Sequence, residues 1–388
     1  MLHRIVTLLL VVMLLAACGG TGATVASPSP AAESPAPAAE SPAPSPEAGE
    51  ASLEVETVTE DEYPNTITIM THDSFSLSAD VVAEFERANN VKVQFLSAGD
   101  AGSALNRALL TRGNPLADVF FGVDNTFFSR ALEGDIFESY APAGLEQIPE
   151  EFRLDPEHRL IPIDYGFVNL NYDKASELFA EIDDPEQMPL ERLTEPQFRN
   201  AVVVQNPATS SPGLAFMLAT IAYFGEDGWL DWWAQIRDNE VVVVDGWSTA
   251  YYTNFSGASE TGTQPIVVSY STSPAAEVFF SEGALEEPPT GNIFPPKAAF
   301  RQIEFAGILK GTPNLELAQR WMDYMISPAV QNDVMPQMVV YPVLPSAEIP
   351  DVYQRFAPLP PEPADIDPAT IAQNRDRWIQ EWTRTVLQ

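Results

Sequence analysis

Apolar positions between residues 65 and 388 follow two spacings in turn. The segments "NTITIMTHDSF", "VKVQFLSAG" and "ADVFFGVDN" carry short strand-like runs, and between them "SADVVAEFERANN" and "GSALNRALLTRGN" repeat apolar residues at helical spacing. In the first of these helices Val81, Val82, Phe85 and Ala88 share one face. The β-α-β-α-β order predicts a parallel sheet with helices on both faces. A second unit of the same kind contains "NAVVVQNP", a helix beginning near Pro212, the tryptophan-rich "GWLDWWAQIRDN", and the strands "EVVVVDGW" and "PIVVSYST". The C-terminal region reads as helical, with one stripe of Leu315, Ala318, Trp321, Met322 and Met325 and another of Trp378, Trp382 and Val386. Such stripes predict core packing and need no cofactor to explain them.

The first seventeen residues read as an address. Arg4 precedes the apolar "IVTLLLVVMLL", which is short for a membrane span, and "LAAC" ends at Cys18, the only cysteine of the chain. The pattern resembles the lipobox of bacterial lipoproteins, with Cys18 as the lipidated first residue; an ordinary signal peptide is the plainer alternative. A mature chain without further thiols has neither disulfides nor cysteine catalysis. Residues 18–64 follow as a tether in which "AAESPAP" occurs twice in succession. Too little apolar surface offsets the entropy of ordering it, and at ~3 Å per residue it reaches on the order of 100 Å. The folded remainder is long enough for two lobes.

The net charge of −35 speaks against binding nucleic acid through its phosphates and is compatible with a cationic ligand. In open parallel sheets ligands bind beyond the carboxyl ends of strands. The strand ends here are "THDSF", "SAGDAG", "GVDN", "QNPATSS", "DGWST" and "SYSTSP", a set rich in hydroxyls, aspartates, glycines and aromatic rings. Converging from two lobes they would line a cleft for a small polar aromatic molecule. Ser210, Ser211 and Gly213 stand where a helix begins, with Pro212 suited to its first turn, so free N–H groups there predict an anion or acceptor site or simply a capped helix start.

The ordered segments "TITIMTHDSF", "ADVFFGVDN", "LIPIDYGFVNLNYDK", "QNPATSSPGLAF", "VVDGWSTAY", "IVVSYSTSPA" and "WMDYMISPAVQNDVMP", with "RDRWIQEW" near the end, resemble the thiamine-binding proteins of bacterial ABC importers. The resemblance covers essentially all of 65–388. It implies an α/β, two-lobe type II periplasmic-binding-protein fold, with parallel-rich sheets flanked by helices and a ligand cleft between the lobes. Lobe 1 would comprise 65–163 plus 274–388 and lobe 2 164–273, the crossings falling near Asp164–Phe167 and Tyr270–Pro274. It further implies a lipid-anchored, extracytoplasmic, monomeric receptor without cofactor, metal or catalysis. Such a receptor would carry thiamine or a thiamine phosphate to a permease and its ATPase.

Ligand contacts transfer by resemblance one at a time. Asp100 with Ala101 matches an Asp-Gly pair, the carboxylate accepting from an aminopyrimidine or offsetting positive charge. Ser210 and Ser211 match positions that contact the ligand. Trp247 matches a ligand-contacting tryptophan, although a strand-end core tryptophan reads the same way. Tyr270, Ser271, Thr272 and Ser273 match a Tyr-Thr-Thr-Ser run, which is otherwise a polar turn. The sequence departs from the family at His72, where the family often has Tyr, and at Ala276, where it has another aromatic. His72 is either a ligand contact or structural.

Two rivals remain. Tyr251–Tyr252 invites a ferric-ion binder of the same fold. A secreted hydrolase could use Asp73, Asp100, Asp124 or Asp164 as acid and base, but no nucleophile elbow, H-E-x-x-H or P-loop occurs, and only His72 and His158 follow the leader. An adhesive lipoprotein would use the tether but leave the polar strand ends unexplained.

Overall fold

The structure is a computed structural model in which residues 63–388 are described; the leader, Cys18 and the tether as far as Glu62 lie outside them. Strands β1 (Thr66–Thr71), β2 (Lys92–Ser97) and β3 (Val119–Asp124) alternate with helices α1 (Ala79–Asn89) and α2 (Ala101–Leu110) before α3 (Phe128–Glu133). The long strand β4 (Ile161–Asp173) leads to β5 (Val202–Gln205), α4 (Ser211–Phe224), α5 (Trp229–Asp238), β6 (Val242–Val244) and the short α6 (Trp247–Thr249). Next come β7 (Ile266–Tyr270), α7 (Ser273–Phe280), β8 (Thr290–Ile293) and β9 (Phe300–Ile308). The chain ends with α8 (Leu315–Met325), α9 (Pro328–Met338), β10 (Tyr341–Pro342), α10 (Asp351–Phe356) and α11 (Pro368–Val386).

One sheet runs in the order β2-β1-β3-β9-β4-β7-β5-β6, with β8 and β10 paired to β4. Its two ends are parallel, β2-β1-β3 on one side and β7-β5-β6 on the other. The middle is antiparallel, because β9 runs against both β3 and β4, and β4 runs against β7. The parallel arrangement expected from the βα alternation holds for β2-β1-β3 and for β7-β5-β6, and the antiparallel centre joins the two. β4 joins the two parallel ends: residues 161–168 pair with β9, and 168–173 pair with β7 and β8. This strand escaped the periodicity because its apolar run is interrupted by Asp164, Asn169 and Asn171, all buried.

The helix stripes hold with two corrections. Ala88 is exposed, and Glu86 is buried in its place, where Oε1 accepts the Val93 N–H at 2.9 Å and pairs with Lys92 Nζ at 3.1 Å. A carboxylate with two such partners can be buried where the pattern reads polar. Leu315, at the start of α8, is exposed, whereas Ala318, Trp321, Met322 and Met325 are buried. On α11, Trp378, Trp382 and Val386 are all buried. The Trp382 ring meets that of Trp233 on α5 edge to face at 5.4 Å, and Arg237 Nη1 donates to the Thr385 carbonyl at 2.8 Å. The same helix sets Arg375 over the Phe127 ring beside α3 at 5.5 Å. α11 thus straps elements from both ends of the sheet. Removing a fully buried indole loses its transfer energy and leaves a cavity, so Trp382→Ala is expected to cost about 3–5 kcal/mol. Urea unfolding monitored by circular dichroism checks this; an unchanged midpoint would place the C-terminal strap outside the cooperative core.

The register across the centre has an electrostatic consequence. Asp124 on β3 stands opposite Glu304 on β9, and Glu304 stands opposite Asp164 on β4. All three are buried, which places like charges side by side where water cannot screen them. Burial above all, with Glu304 adding to it, pushes the Asp124 carboxyl up to about 7, while hydrogen bonds from Thr126 and Phe127 oppose the shift. The folded value lies above the unfolded one of 3.8, so stability from this group is complete below pH 3.8 and is lost as the pH rises through about 7. Asp124→Asn keeps the Oδ1 acceptor and is expected to flatten the fall in unfolding free energy over that window by about one proton. Denaturant titrations at stepped pH measure it; parallel curves for the two proteins would contradict the assignment.

Candidate functional site

The predicted site residues lie on five strand-to-helix junctions, and one carboxylate ties three of them together. Asp100 is the N-cap of α2 and is nine-tenths buried. Its Oδ1 accepts the N–H of Ala101 at 2.6 Å and of Ser211 at 3.3 Å, and its Oδ2 accepts the N–H of Trp247 at 2.9 Å. Ser211 begins α4 and Trp247 begins α6, so one side chain satisfies donors at the starts of three helical segments. Burial raises the carboxyl's proton affinity, and the Trp247 N–H foremost, with the Ser210 hydroxyl, His72 and the Ala101 N–H, works against it. Gly246 sits close enough that a Cβ would lie 3.3 Å from Oδ2, so the absent side chain lets the backbone reach Asp100.

Other bonds follow the same seam. The Ser103 N–H donates to the Thr209 carbonyl at 3.2 Å, and the Ser248 hydroxyl donates to Asp73 Oδ2 at 3.3 Å. Ser74 and Ser248 hydroxyls are 3.3 Å apart. These contacts join residues 73–103 to residues 209–248 and so tie the two parallel ends of the sheet together.

The serines of α4 divide in role. Ser211 Oγ accepts from Gln302 Nε2 at 3.1 Å, and Gln302 Oε1 accepts from the Tyr270 hydroxyl at 3.0 Å. Ser210 is the N-cap but makes no capping bond; it is fully buried, and its Oγ has no hydrogen bond of ordinary geometry. In the "YSTS" run, Thr272 Oγ1 donates to the Val339 carbonyl at 2.5 Å. Ser273 Oγ lies 2.9 Å from Ser269 Oγ and accepts the Tyr270 N–H at 3.3 Å. Only Ser271 of these three hydroxyls stays buried without a partner. An amide ladder that sequence inspection missed fixes this turn: Asn292 donates to the Ser271 carbonyl at 3.1 Å, Asn171 to that of Tyr270 at 3.2 Å, and both Asn169 and Asn171 donate to Asn292.

Trp247 is half-buried and held twice, by its N–H on Asp100 and by its indole Nε1, which donates to Ser269 Oγ at 2.9 Å. One face stacks on Tyr251 at 5.0 Å and 20°, and the Tyr270 ring stands edge-on at 6.3 Å. His72, just past β1, accepts the Ser74 N–H on Nδ1 at 3.2 Å, which leaves the ring proton on Nε2, 3.3 Å from Glu304 Oε1. Burial alone would lower its proton affinity, but the Glu304 carboxylate more than offsets this and the net direction is up. Two glycines seat the rings on the sheet: a Cβ at Gly122 would meet His72 Cδ2 at 2.7 Å, and one at Gly166 would meet Tyr270 Cδ1 at 3.0 Å.

Beneath these rings lies the carboxyl row of Asp124, Glu304 and Asp164. Asp164 is held well above the usual carboxyl range by burial first, then by the charge of Glu304 and a hydrogen bond shared with it. Asp124 Oδ1 takes the hydroxyl and N–H of Thr126, while Oδ2 is unpartnered. Burial, then Glu304, Asp100, Asp124 and Asp164, hold the Tyr270 hydroxyl firmly protonated. The ion pairs of the described residues include no Lys or Arg on any of these four acids. Among the described residues no group of three His, Cys, Asp or Glu is placed to hold a metal ion. Of the tyrosine pair, Tyr251 is buried and donates to Glu277 Oε1 at 2.7 Å, whereas Tyr252 is exposed. Gln302 and Glu304 lie inside the strand "FRQIEFAGI" and gave no sign of being functional in the sequence. A separate hollow of about 500 Å³, lined by uncharged residues including Tyr341, Ile349 and Tyr353, shares none of the predicted site residues.

Comparison with known proteins places this geometry. Residues 114–361 match the family described as bacterial extracellular solute-binding protein. The thiamine-binding periplasmic protein of Escherichia coli (strain K12) is 30% identical over 325 residues, covering 82% of this chain and 93% of that protein. Iron uptake protein A2 of Synechocystis sp. is 26% identical over 264 residues, 65% of this chain. Among solved structures, a periplasmic thiamin binding protein superposes with a TM-score of 0.70 at 27% identity, over 83% of this chain and 96% of that one. The fold is the mixed α/β fold of periplasmic binding proteins. With a match over well beyond half its length and a relative of this similarity, the chain belongs to the bacterial extracellular solute-binding proteins.

Proposed function

We propose that this protein is the extracytoplasmic receptor of an ABC importer for thiamine or a close derivative. The observation that supports it most is the grouping of the Trp247 and Tyr270 rings, 6.3 Å apart, with buried acceptors that lack partners, Asp124 Oδ2 and Ser271 Oγ. No Lys or Arg pairs with the acids there. That combination suits a flat ring bearing a fixed positive charge, which the thiazolium of thiamine supplies, together with an amine and a hydroxyl that can donate to the acceptors. The similarity to proteins described as thiamine-binding supports the same ligand.

Lobe 1 is assigned to 65–163 plus 274–388 and lobe 2 to 164–273. Ligand binding takes place as they close by a hinge, and the closed form is delivered to a permease driven by an ATPase. Lipid at Cys18 and the 18–64 tether would hold a monomeric receptor at the membrane. The contact set is His72, Asp100, Ala101, Ser210, Ser211, Trp247 and Tyr270 to Ser273. Within it Asp100, Ala101, Thr272 and Ser273 act through the bonds that shape the cleft. No bond is made or broken in the ligand.

Isothermal titration calorimetry of the purified full chain with thiamine tests the assignment, and the absence of both heat and a shift in melting temperature would end it. Trp247→Ala removes the ring and is expected to weaken binding by more than about tenfold, the worth of one desolvated aromatic–cation contact. An affinity equal to that of the unaltered protein would make Trp247 a packing residue.

A further inference from the structure

We infer that Glu277, on α7, is a positioning residue for the Trp247 ring and acts on it through Tyr251. The inference rests on the reading of Trp247 as a ligand contact and concerns what holds that ring in place. Trp247 meets Tyr251 face to face, with centroids 5.0 Å apart and planes 20° from parallel. The Tyr251 hydroxyl donates to Glu277 Oε1 at 2.7 Å. The second oxygen, Oε2, accepts from the Thr290 hydroxyl at 2.8 Å, and Thr290 stands opposite Asp173 in the register of β8 with β4. One carboxylate thus fastens the backing ring to the sheet. Tyr251 needs such a fastening because it lies in a π-helical turn, Ala250–Asn254, closed by the Phe255 N–H on the Ala250 carbonyl at 3.0 Å. The turn alone does not bury its rings: Tyr252, the next residue, faces water while Tyr251 is buried. Locking a binding side chain before the ligand arrives avoids the cost of ordering it on binding.

The surroundings make this anchor sensitive to pH. Lys174 and Asp173 face Glu277 from the end of β4, and the Tyr251 and Tyr252 hydroxyls face it from the π-helical turn. Lys174 Nζ donates to the Pro288 carbonyl at 2.9 Å and is also acted on by Glu287. Burial foremost raises the Glu277 carboxyl from 4.5 to about 7; the Tyr251 and Thr290 hydroxyls and Lys174 oppose the rise, and Asp173 adds to it. Ionised, Glu277 offers both oxygens as acceptors. Protonation turns one of them into a donor, and one of the two hydroxyls loses its partner. The anchor is therefore complete above about pH 7 and weakens below it.

Calorimetric titration of the full chain with thiamine, from about pH 6 to about pH 8, tests this on the unaltered protein, Glu277→Gln and Tyr251→Phe. Near-ultraviolet circular dichroism of each protein without ligand reads the aromatic packing. The unaltered protein is expected to lose affinity as the pH falls through about 7. Both variants are expected to bind about two- to tenfold more weakly at the upper end, the worth of one hydrogen bond, and to change less with pH. Glu277→Gln with the affinity and pH profile of the unaltered protein overturns the inference, and Tyr251→Phe with that affinity overturns the route through Tyr251. Should Glu277→Gln fail to fold, Tyr251→Phe decides by the same two readings. If the unaltered protein does not bind thiamine at any pH, the thiamine reading falls and dichroism decides the positioning role. An aromatic signal that titrates near pH 7 in the unaltered protein and is flat in the variants supports it; the same signal in all three overturns it.

Discussion

The closed cleft depends on how the Asp100 carboxylate is spent. Its partners are distant in sequence, 111 residues away at Ser211 and 147 at Trp247. A buried carboxylate is costly unless its lone pairs are filled, and N–H donors at helix starts are themselves unsatisfied groups in need of an acceptor. Bringing the two deficits together removes both, and the geometry follows from it. The start of α4 is pinned, so that Ser211 meets Gln302 and, through it, Tyr270. The start of α6 is pinned too, so that Trp247 presents its ring with both nitrogens committed to the protein.

The carboxyl row across β3, β9 and β4 is the opposite case, a cost left standing. Three acids opposite one another in mid-sheet are unfavourable by burial and by mutual repulsion, and among the described residues His72 is the one basic side chain paired with them. The surrounding core carries that cost: Phe120, Phe121, Ile163, Phe305 and Ala306 on the same three strands are all nearly or completely buried. Local features that oppose folding gather where binding takes place, because a site must keep groups unsatisfied until the ligand arrives.

These two patterns differ in how far the amino-acid sequence reveals them. Elements with a clear period were readable, including β1 to β3, α2 and the stripes of α8 and α11. The junction residues were readable because strand ends concentrate Gly, Asp and hydroxyl side chains. Residues whose role arises from pairing were not. Gln302 and Glu304 lie within an apolar strand and gain meaning only from standing beside Gly166 and Asp164 in the register. Asn169, Asn171 and Asn292 act as a ladder only once β8 lies against β4. Glu86 looked solvated until its Val93 and Lys92 partners came into place. The Tyr251–Tyr252 pair failed in the other direction: adjacency in sequence suggested a shared ligand, but one ring packs inward on Glu277 and the other faces water.

The latch and the unspent acceptors together explain how binding can drive closure. A ligand shifts an equilibrium only by the difference in its interaction with the two states. On the closure proposed above, the Asp100 bonds would form in one movement with the burial of Ser271 without a partner. The first effect would favour the closed form and the second oppose it. A ligand that donates to the unspent acceptors and places positive charge near the acid row cancels the second effect, and can do so only when both walls are present. Its binding energy then appears as closure, with the Asp100 bonds setting the geometry that the closed form must adopt.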